Sequence, residues 1–283
     1  MARPVSYFFT RPRTAPDWII PGWLKRRNTG FILGQPKRAC KSWLLLNMAW
    51  QLSEGRPLWG IHKARGEPLF QPSRPMRVVY FSQEDTDDDI QDRIELLASA
   101  GWKPNDRFWV VPKDLKLSFD EPGKAMIHAH LNQVREVGPI DLILFDPMRR
   151  MHYGKENDSE TIANIWKTLD ALHERYDCGT IFSHHVVKPP RDTTGSYDPT
   201  SPYAARGSGD IYGGGDAFIN VIPKTQRGRG TAKRDLDLHF ETKRSRAISP
   251  VTLSVSFETG EVSFVSFLLG REKSDVPSAL DNP

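Results

Sequence analysis

Apolar and polar positions alternate between two periods along this chain. Short, nearly continuous apolar runs, such as Val78-Val79-Tyr80-Phe81, Leu142-Ile143-Leu144-Phe145 and Thr180-Ile181-Phe182, have the pattern of strands buried on both faces. They predict strands over 29–34, 76–82, 108–112, 140–146, 179–184, 216–223 and 236–242. Between them, residues 42–54, 87–101, 123–137 and 159–176 carry apolar positions at helical spacing. Asn157, with Glu160 three residues on, has the form of a capping box opening the last helix. Strand–helix alternation of this kind predicts an α/β fold, doubly wound around a mostly parallel sheet. The runs 251–256 and 262–267, separated by Glu258-Thr259-Gly260, predict a closing C-terminal β-hairpin.

The punctuation suggests the domain limits. Residues 1–27, rich in Pro and Arg, form an expected N-terminal arm or edge-packing segment. Residues 28–270 form the expected main domain, and 271–283 a disordered tail. The proline-rich stretch 187–203 is expected to be a long functional or mobile loop. Gly213-Gly214-Gly215 has the look of a turn, and no internal repeat is visible.

Bulk composition narrows the class rather than the function. With 283 residues, 38% hydrophobic and 26% charged, the chain has the composition of an ordinary globular protein. Its apolar runs are all too short for a membrane span, and the first residues lack a signal-peptide core. Two cysteines, Cys40 and Cys178, point to a reducing, cytoplasmic compartment and away from a disulfide framework. A net charge of +4 is compatible with nucleic acid without requiring it.

Ligands of doubly wound sheets gather at the carboxyl ends of the strands, and here those ends carry chemistry. The first strand runs into Gly34-Gln35-Pro36-Lys37-Arg38-Ala39-Cys40-Lys41-Ser42-Trp43 before an apolar helix. Strand, loop and helix in that order are what a phosphate-binding loop requires: backbone amides and a helix N-terminus cradle phosphates, the lysine reaches them and the hydroxyl holds Mg²⁺. The usual pattern G-x-x-x-x-G-K-[ST] is broken twice. Cys40 stands where the second glycine belongs, and Gly34 lies seven positions before Lys41 instead of six. A basic turn before a core helix is the plain alternative. The cysteine is tolerable if it keeps helical dihedrals, at the expense of glycine's freedom. Further strands end in Gln83-Glu84-Asp85, in Asp146, and in Ser183-His184-His185. Together they supply the charge neutralisation, metal anchor, base and polar sensor that triphosphate hydrolysis needs. Asp85 competes with Glu84 as the base, and the acidic run 85–89 also suits a helix N-terminus. A metal at the histidine pair lacks a nearby third ligand. Cys178 is expected to be an inert core thiol.

The ordered series Asp17–Leu33, Val78–Asp85, Leu142–His152 with its polar loop, Cys178–Lys188 and Ala205–Ser208 resembles the RepA-type hexameric replicative DNA helicases, RecA/DnaB-like P-loop ATPases of an AAA_25-like family. The resemblance covers roughly Asp17 to Pro250 and implies a RecA-like ATPase that uses ATP and Mg²⁺. It implies that Lys41 binds phosphate, Ser42 and Asp146 hold Mg²⁺, Glu84 polarises water, and His184 and His185 sense the γ-phosphate. It further implies that Arg206 acts as an arginine finger on a neighbouring subunit's nucleotide, with Lys243, Arg244 and Arg246 as further trans-acting cations. The loops after 140–146 and 179–184 carry Arg149, Arg150, Lys155, Lys188 and Arg191. Cations there suit a sequence-independent grip on single-stranded DNA, with His152, Tyr153 and Tyr197 available to stack on bases; ordinary surface charge is the alternative. The function this implies is a ring-forming helicase in plasmid, phage or mobile-element replication, working with a primase or initiator. A RecA-like nucleotide-binding loader with weak hydrolysis is the second reading, and a recombinase the third.

Overall fold

The computed structural model describes residues 2–12, 14–63, 66–114, 116–155, 158–187, 198–201, 203, 205, 209–224, 232–243, 245 and 247–268. At its centre is a nine-stranded sheet. Six strands are parallel and lie side by side in the order β5 (Phe108–Val111), β4 (Val78–Ser82), β6 (Leu142–Asp146), β7 (Gly179–His185), β3 (Thr29–Gly34) and β8 (Ala217–Pro223). An antiparallel meander of β9 (Lys233–Thr242), β10 (Val251–Ser256) and β11 (Val262–Phe267) extends the sheet beyond β8. The α/β, mostly parallel expectation and the closing hairpin hold.

One apolar ladder sets the register. Phe218, Phe31, Phe182, Phe145 and Phe81 are paired residues on five consecutive strands, β8 to β4, and their rings stack at 5.0–5.6 Å. Because side chains alternate across a strand, this row fixes which residues reach the strand ends together. Asp146 follows Phe145 by one position, Glu84 follows Phe81 by three, and Gly34 and His185 lie three beyond Phe31 and Phe182 and face each other in register. The phenylalanines face a core shared with α4 (Gly123–Val137) and α5 (Ser159–Tyr176). The alternate residues, Ile32, Tyr80, Leu144 and Ile181, face the core of α2 (Lys41–Glu54).

Helix α2 is buried on nearly every side, so it shows almost no amphipathic stripe. Asn47 on it fastens the hairpin: its amide nitrogen donates to Gly260 O at 2.9 Å and its oxygen accepts from Val262 N at 3.0 Å.

Three expectations need correcting. Residues 1–27 are more than a loop-like arm: α1 (Val5–Thr10) is followed by a ribbon of β1 (Trp18–Ile20) and β2 (Leu24–Lys25), whose Ile19, Ile20, Trp23 and Leu24 are buried core. A Cβ on Gly179 would lie 2.6 Å from the Ile19 δ-methyl, so the ribbon packs close against β7. The N-cap of α5 is Asp158, which accepts from Thr161 N at 2.9 Å; Asn157 lies outside the described residues. Gly213 and Gly214 close a short helix, α6 (Asp210–Gly214), and Gly214 is needed for close packing, since a Cβ would sit 2.1 Å from Trp166. Of the expected loop 187–203, residues 188–197 and 202 lie outside the described set.

Candidate nucleotide-binding site

The loop between β3 and α2 closes tightly on itself. A Cβ at Gly34 would fall 2.4 Å from the Ala39 methyl and 3.2 Å from Val221 O, so only glycine permits this path. The extra residue in the loop is absorbed by left-handed backbone at Lys37 (φ 62°) and Cys40 (φ 48°, ψ 32°). Cys40 therefore does not keep helical dihedrals; it occupies the conformation that glycine adopts freely and other residues adopt at a cost. Cys40 is the N-cap residue of α2 and makes no side-chain cap bond. The first-turn amides of this 14-residue helix thus have no side-chain cap where the loop opens.

A cavity of about 280 Å³ lies at that opening, lined by loop residues Lys37, Cys40, Lys41 and Ser42, by Glu84 and by Asp146, with His185 at its side. The Lys41 ammonium turns back to Gly34 O (3.2 Å), Gln35 O (3.5 Å) and His185 Nδ1 (3.3 Å). Burial pushes its pKa down while Asp146 and Glu84 pull it back. Asp146 is buried and accepts from Tyr80 Oη (2.7 Å) and from Ser183 Oγ. Burial first, then the Asp146 charge, pushes the Tyr80 phenol well above its ordinary value, so it remains a donor. His184, one residue before His185 on β7, is buried.

The two candidate bases separate by their contacts. Asp85 accepts from Ser82 Oγ (3.0 Å) and is gripped by Arg93 on α3 (Asp87–Ser99) at 2.9 Å. Glu84 is exposed to the cavity, and its nearest cation is Arg150 at 4.0 Å. Burial, reinforced by Asp146, raises the Glu84 carboxyl above the usual carboxylate range; Arg150 and Lys41 oppose the shift. A raised carboxylate facing an open cavity suits proton abstraction from water.

Sequence reasoning missed three participants. Arg234 on β9 donates to Lys37 O (3.2 Å), Arg38 O (3.3 Å) and Cys40 Sγ (3.7 Å), and lies over the Phe257 ring at 5.1 Å. It holds the outside of the loop and lines the cavity. Arg93 lies over the Trp43 ring at 5.4 Å. Tyr80 could have been found as a polar tip inside the apolar run Val78–Phe81; Arg234 and Arg93 carry no local signal. Burial pushes the Cys40 thiol up despite Arg234 and Lys41. Cys178 is pushed up to about 12 by burial, in keeping with an inert thiol.

The remaining expected residues scatter. Arg149 donates to His152 O and Gly154 O, Lys155 is exposed, and Tyr153 is exposed. His152 is buried, so it cannot stack on a base. Lys243 caps the Tyr212 and Gly213 carbonyls at the end of α6. Lys188, Arg191, Tyr197, Arg206, Arg244 and Arg246 lie outside the described residues.

A parallel sheet whose central strand feeds such a loop, with an aspartate closing the strand two places away, defines a RecA-like P-loop nucleoside triphosphatase domain. The chain belongs to the AAA_25 family (AAA domain), whose model matches residues 4–191. Its fold is similar to the crystal structure of a KaiC-like protein from the hyperthermophilic archaeon Pyrococcus horikoshii OT3, with a TM-score of 0.54 and 9% identity over 87% of this chain and 93% of that one. At that identity the likeness speaks for the fold alone. No curated protein matches the sequence.

The residues present fit a nucleotide with Mg²⁺. A cradle that a single Cβ would fill and a helix N-terminus without a side-chain cap are what would receive phosphates, with Lys41 beside them. Ser42 and Asp146 are the residues that would offer oxygen ligands there, a sparse set of the kind that suits a Mg²⁺ retaining water and phosphate oxygens.

Proposed function

We propose that this chain is a ring-forming, ATP-dependent DNA helicase or translocase serving the replication of a plasmid, phage or mobile element. The observation that carries the reading is the register: one phenylalanine ladder brings Lys41, Ser42, Glu84, Asp146 and His185 to a single cavity, with the basic turn Met148–Met151 beginning two residues beyond Asp146. Lys41 neutralises phosphate charge, and Ser42 and Asp146 hold Mg²⁺. Glu84 takes the proton from attacking water, and His185 reports phosphate occupancy to β7. His184 supports His185 from the core. When bound, Mg²⁺ draws electron density from the reacting phosphorus. Arg206 of one subunit serves the nucleotide of the next, with Lys243, Arg244 and Arg246 as further trans-acting cations, and such head-to-tail contacts close into a ring, here a hexamer. Arg149, Arg150, Lys155, Lys188 and Arg191 grip single-stranded DNA in the channel, and a primase or initiator loads it. The proposed setting is the cytoplasm; no helix among the described residues is long and apolar enough to cross a membrane.

The test is ATP turnover at low salt with and without single-stranded DNA, on assemblies whose mass is measured in parallel. Stimulation by DNA in rings is expected; rings without stimulation sink the helicase reading. A second reading, a nucleotide-binding loader with weak hydrolysis, is favoured by Cys40's left-handed backbone and by the Lys41 ammonium resting on the loop's own carbonyls. Wild-type turnover equal to that of Glu84→Gln, and raised in Cys40→Gly, would select it.

A further inference from the structure

Beside the nucleotide cavity, on the far side of Glu84, lies a second cavity of about 220 Å³. Its walls carry Lys113, Arg149 and Arg150 against one carboxylate, Asp114, together with Gln83, His152 and Tyr153. We propose that this cavity seats a phosphate group, supplied by single-stranded nucleic acid or by free phosphate, and that Arg150 is the positioning residue this phosphate draws away from Glu84. The inference rests on the ATPase reading above and names how that site is regulated.

Three observations converge. Arg150 belongs to both places: it lines the basic cavity, and its Nε lies 4.0 Å from Glu84 Oε1 with both side chains about half exposed, 53% and 51%. An exposed pair of that kind shifts an equilibrium by no more than about fivefold, so a phosphate also held by Lys113 and Arg149 outcompetes it. Second, His152 is 4% exposed, and its ring nitrogens have no well-formed hydrogen bond, with only the Gly154 backbone acting on them. A buried polar ring so poorly partnered costs free energy that a ligand oxygen would recover. Burial first, then the Arg149 charge, pushes its pKa down, so it meets the phosphate as a neutral donor. Third, the two cavities share a wall. Gln83 N donates to Asp146 O (2.7 Å), its amide nitrogen to Pro112 O (3.3 Å), and its amide oxygen accepts from Asp114 N (3.3 Å). Lys113 N donates to Asp85 O (3.1 Å). The segment carrying Glu84 is therefore tied to the segment carrying Lys113. A volume below about 300 Å³ is small for a whole drug-sized ligand and suits a single charged group.

The direction of coupling follows from charge. Glu84 faces Arg150, Lys41, Asp146 and Asp85, with His185, Lys37, Arg93 and Arg234 around the same cavity. Of these, Arg150 is the cation a phosphate in the second cavity can remove. Its departure raises the Glu84 pKa and makes the carboxylate a stronger base. A base acts only when deprotonated, so the acid limb of the rate profile moves to higher pH while the plateau rises.

The experiment uses the full chain and measures ATP turnover against pH for wild type, Arg150→Gln, Lys113→Gln and Glu84→Gln. Each is assayed alone, with a short oligo(dT) strand, and with inorganic phosphate. Expected for Arg150→Gln is a strand-free rate up by roughly two- to fivefold, loss of most stimulation, and an acid limb displaced to higher pH. Lys113→Gln is expected to require several times more strand for half-maximal stimulation. Stimulation by oligo(dT) but not phosphate assigns the cavity to the strand; stimulation by phosphate alone assigns it to free phosphate; either supports the coupling. An Arg150→Gln protein that only needs more strand, with its strand-free rate and acid limb unchanged, overturns the proposal. A wild type no faster than Glu84→Gln under every condition overturns the ATPase reading, and this inference with it.

Discussion

Cys40 is strained by its backbone rather than its chemistry. A left-handed L-residue costs about 1–2 kcal/mol, and glycine's extra freedom in the unfolded chain returns about half of that. Cys40→Gly is therefore expected to stabilise the protein by about 0.5–1 kcal/mol in urea denaturation, whereas Cys40→Ala gains nothing, since alanine has the same Cβ. Gly34→Ala should do the reverse and also abolish nucleotide binding, because its methyl would overlap that of Ala39. Asp141 is a different kind of residue: it is 1% exposed and held by Arg74, Arg26 and Arg77 N, which together outweigh the cost of burial and keep its carboxyl below the usual range. A depressed carboxylate contributes stability above its unfolded pKa and loses it as pH falls through the lower folded value. Asp141→Asn should cost about 2–3 kcal/mol near neutral pH, less than the about 3–5 kcal/mol of a fully buried pair, because Arg74 can turn to solvent. It should also flatten the acid side of the stability profile. Glu84, Asp146 and His185 were legible because each lies at or just beyond the end of a strand whose apolar run marks it, and Lys41 and Ser42 because they open the apolar helix that follows one. Arg234 was not, because it reaches the loop from 194 positions away in sequence. Nor was the Cys40 backbone, which depends on how an extra loop residue is absorbed.

At the scale of elements, legibility followed length. The six parallel strands of four to seven residues, and helices of 13–18 residues, carry enough periodic signal to be located within a few positions. The ribbon of β1 and β2 has three and two residues, too few for any period, and its burial comes from Trp23 and Ile19 meeting the glycines of β3 and β7. The acidic run at 85–89 divides between two tasks that composition cannot separate. Asp85 binds Arg93, whereas Asp89 and Thr86 form a reciprocal capping box on α3. Thr86→Ala is expected to cost about 1 kcal/mol, read as a lower denaturation midpoint with an unchanged m-value. Because α3 carries Arg93, the same variant should loosen Asp85 and raise the KM for ATP more than it lowers kcat.

Across the whole molecule, the phosphate loop hangs from β3, the fifth of nine strands. A ligand that binds only the folded state raises stability by about 2.7 kcal/mol at a hundred times its Kd. For a chain of this size that amounts to about 4–5 °C in Tm with a Mg²⁺–ATP analogue. Gly34→Ala should show none of this shift. The position of β3 also has a consequence for how the protein breathes. Its amides are covered by β7 on one side and β8 on the other, so they can meet solvent deuterium only when the sheet itself comes apart. The β11 edge, paired on one side only, can exchange by local fraying. Nucleotide should therefore slow deuterium uptake deepest in the sheet by the full amount of its binding energy, while leaving the β11 edge almost as open as before.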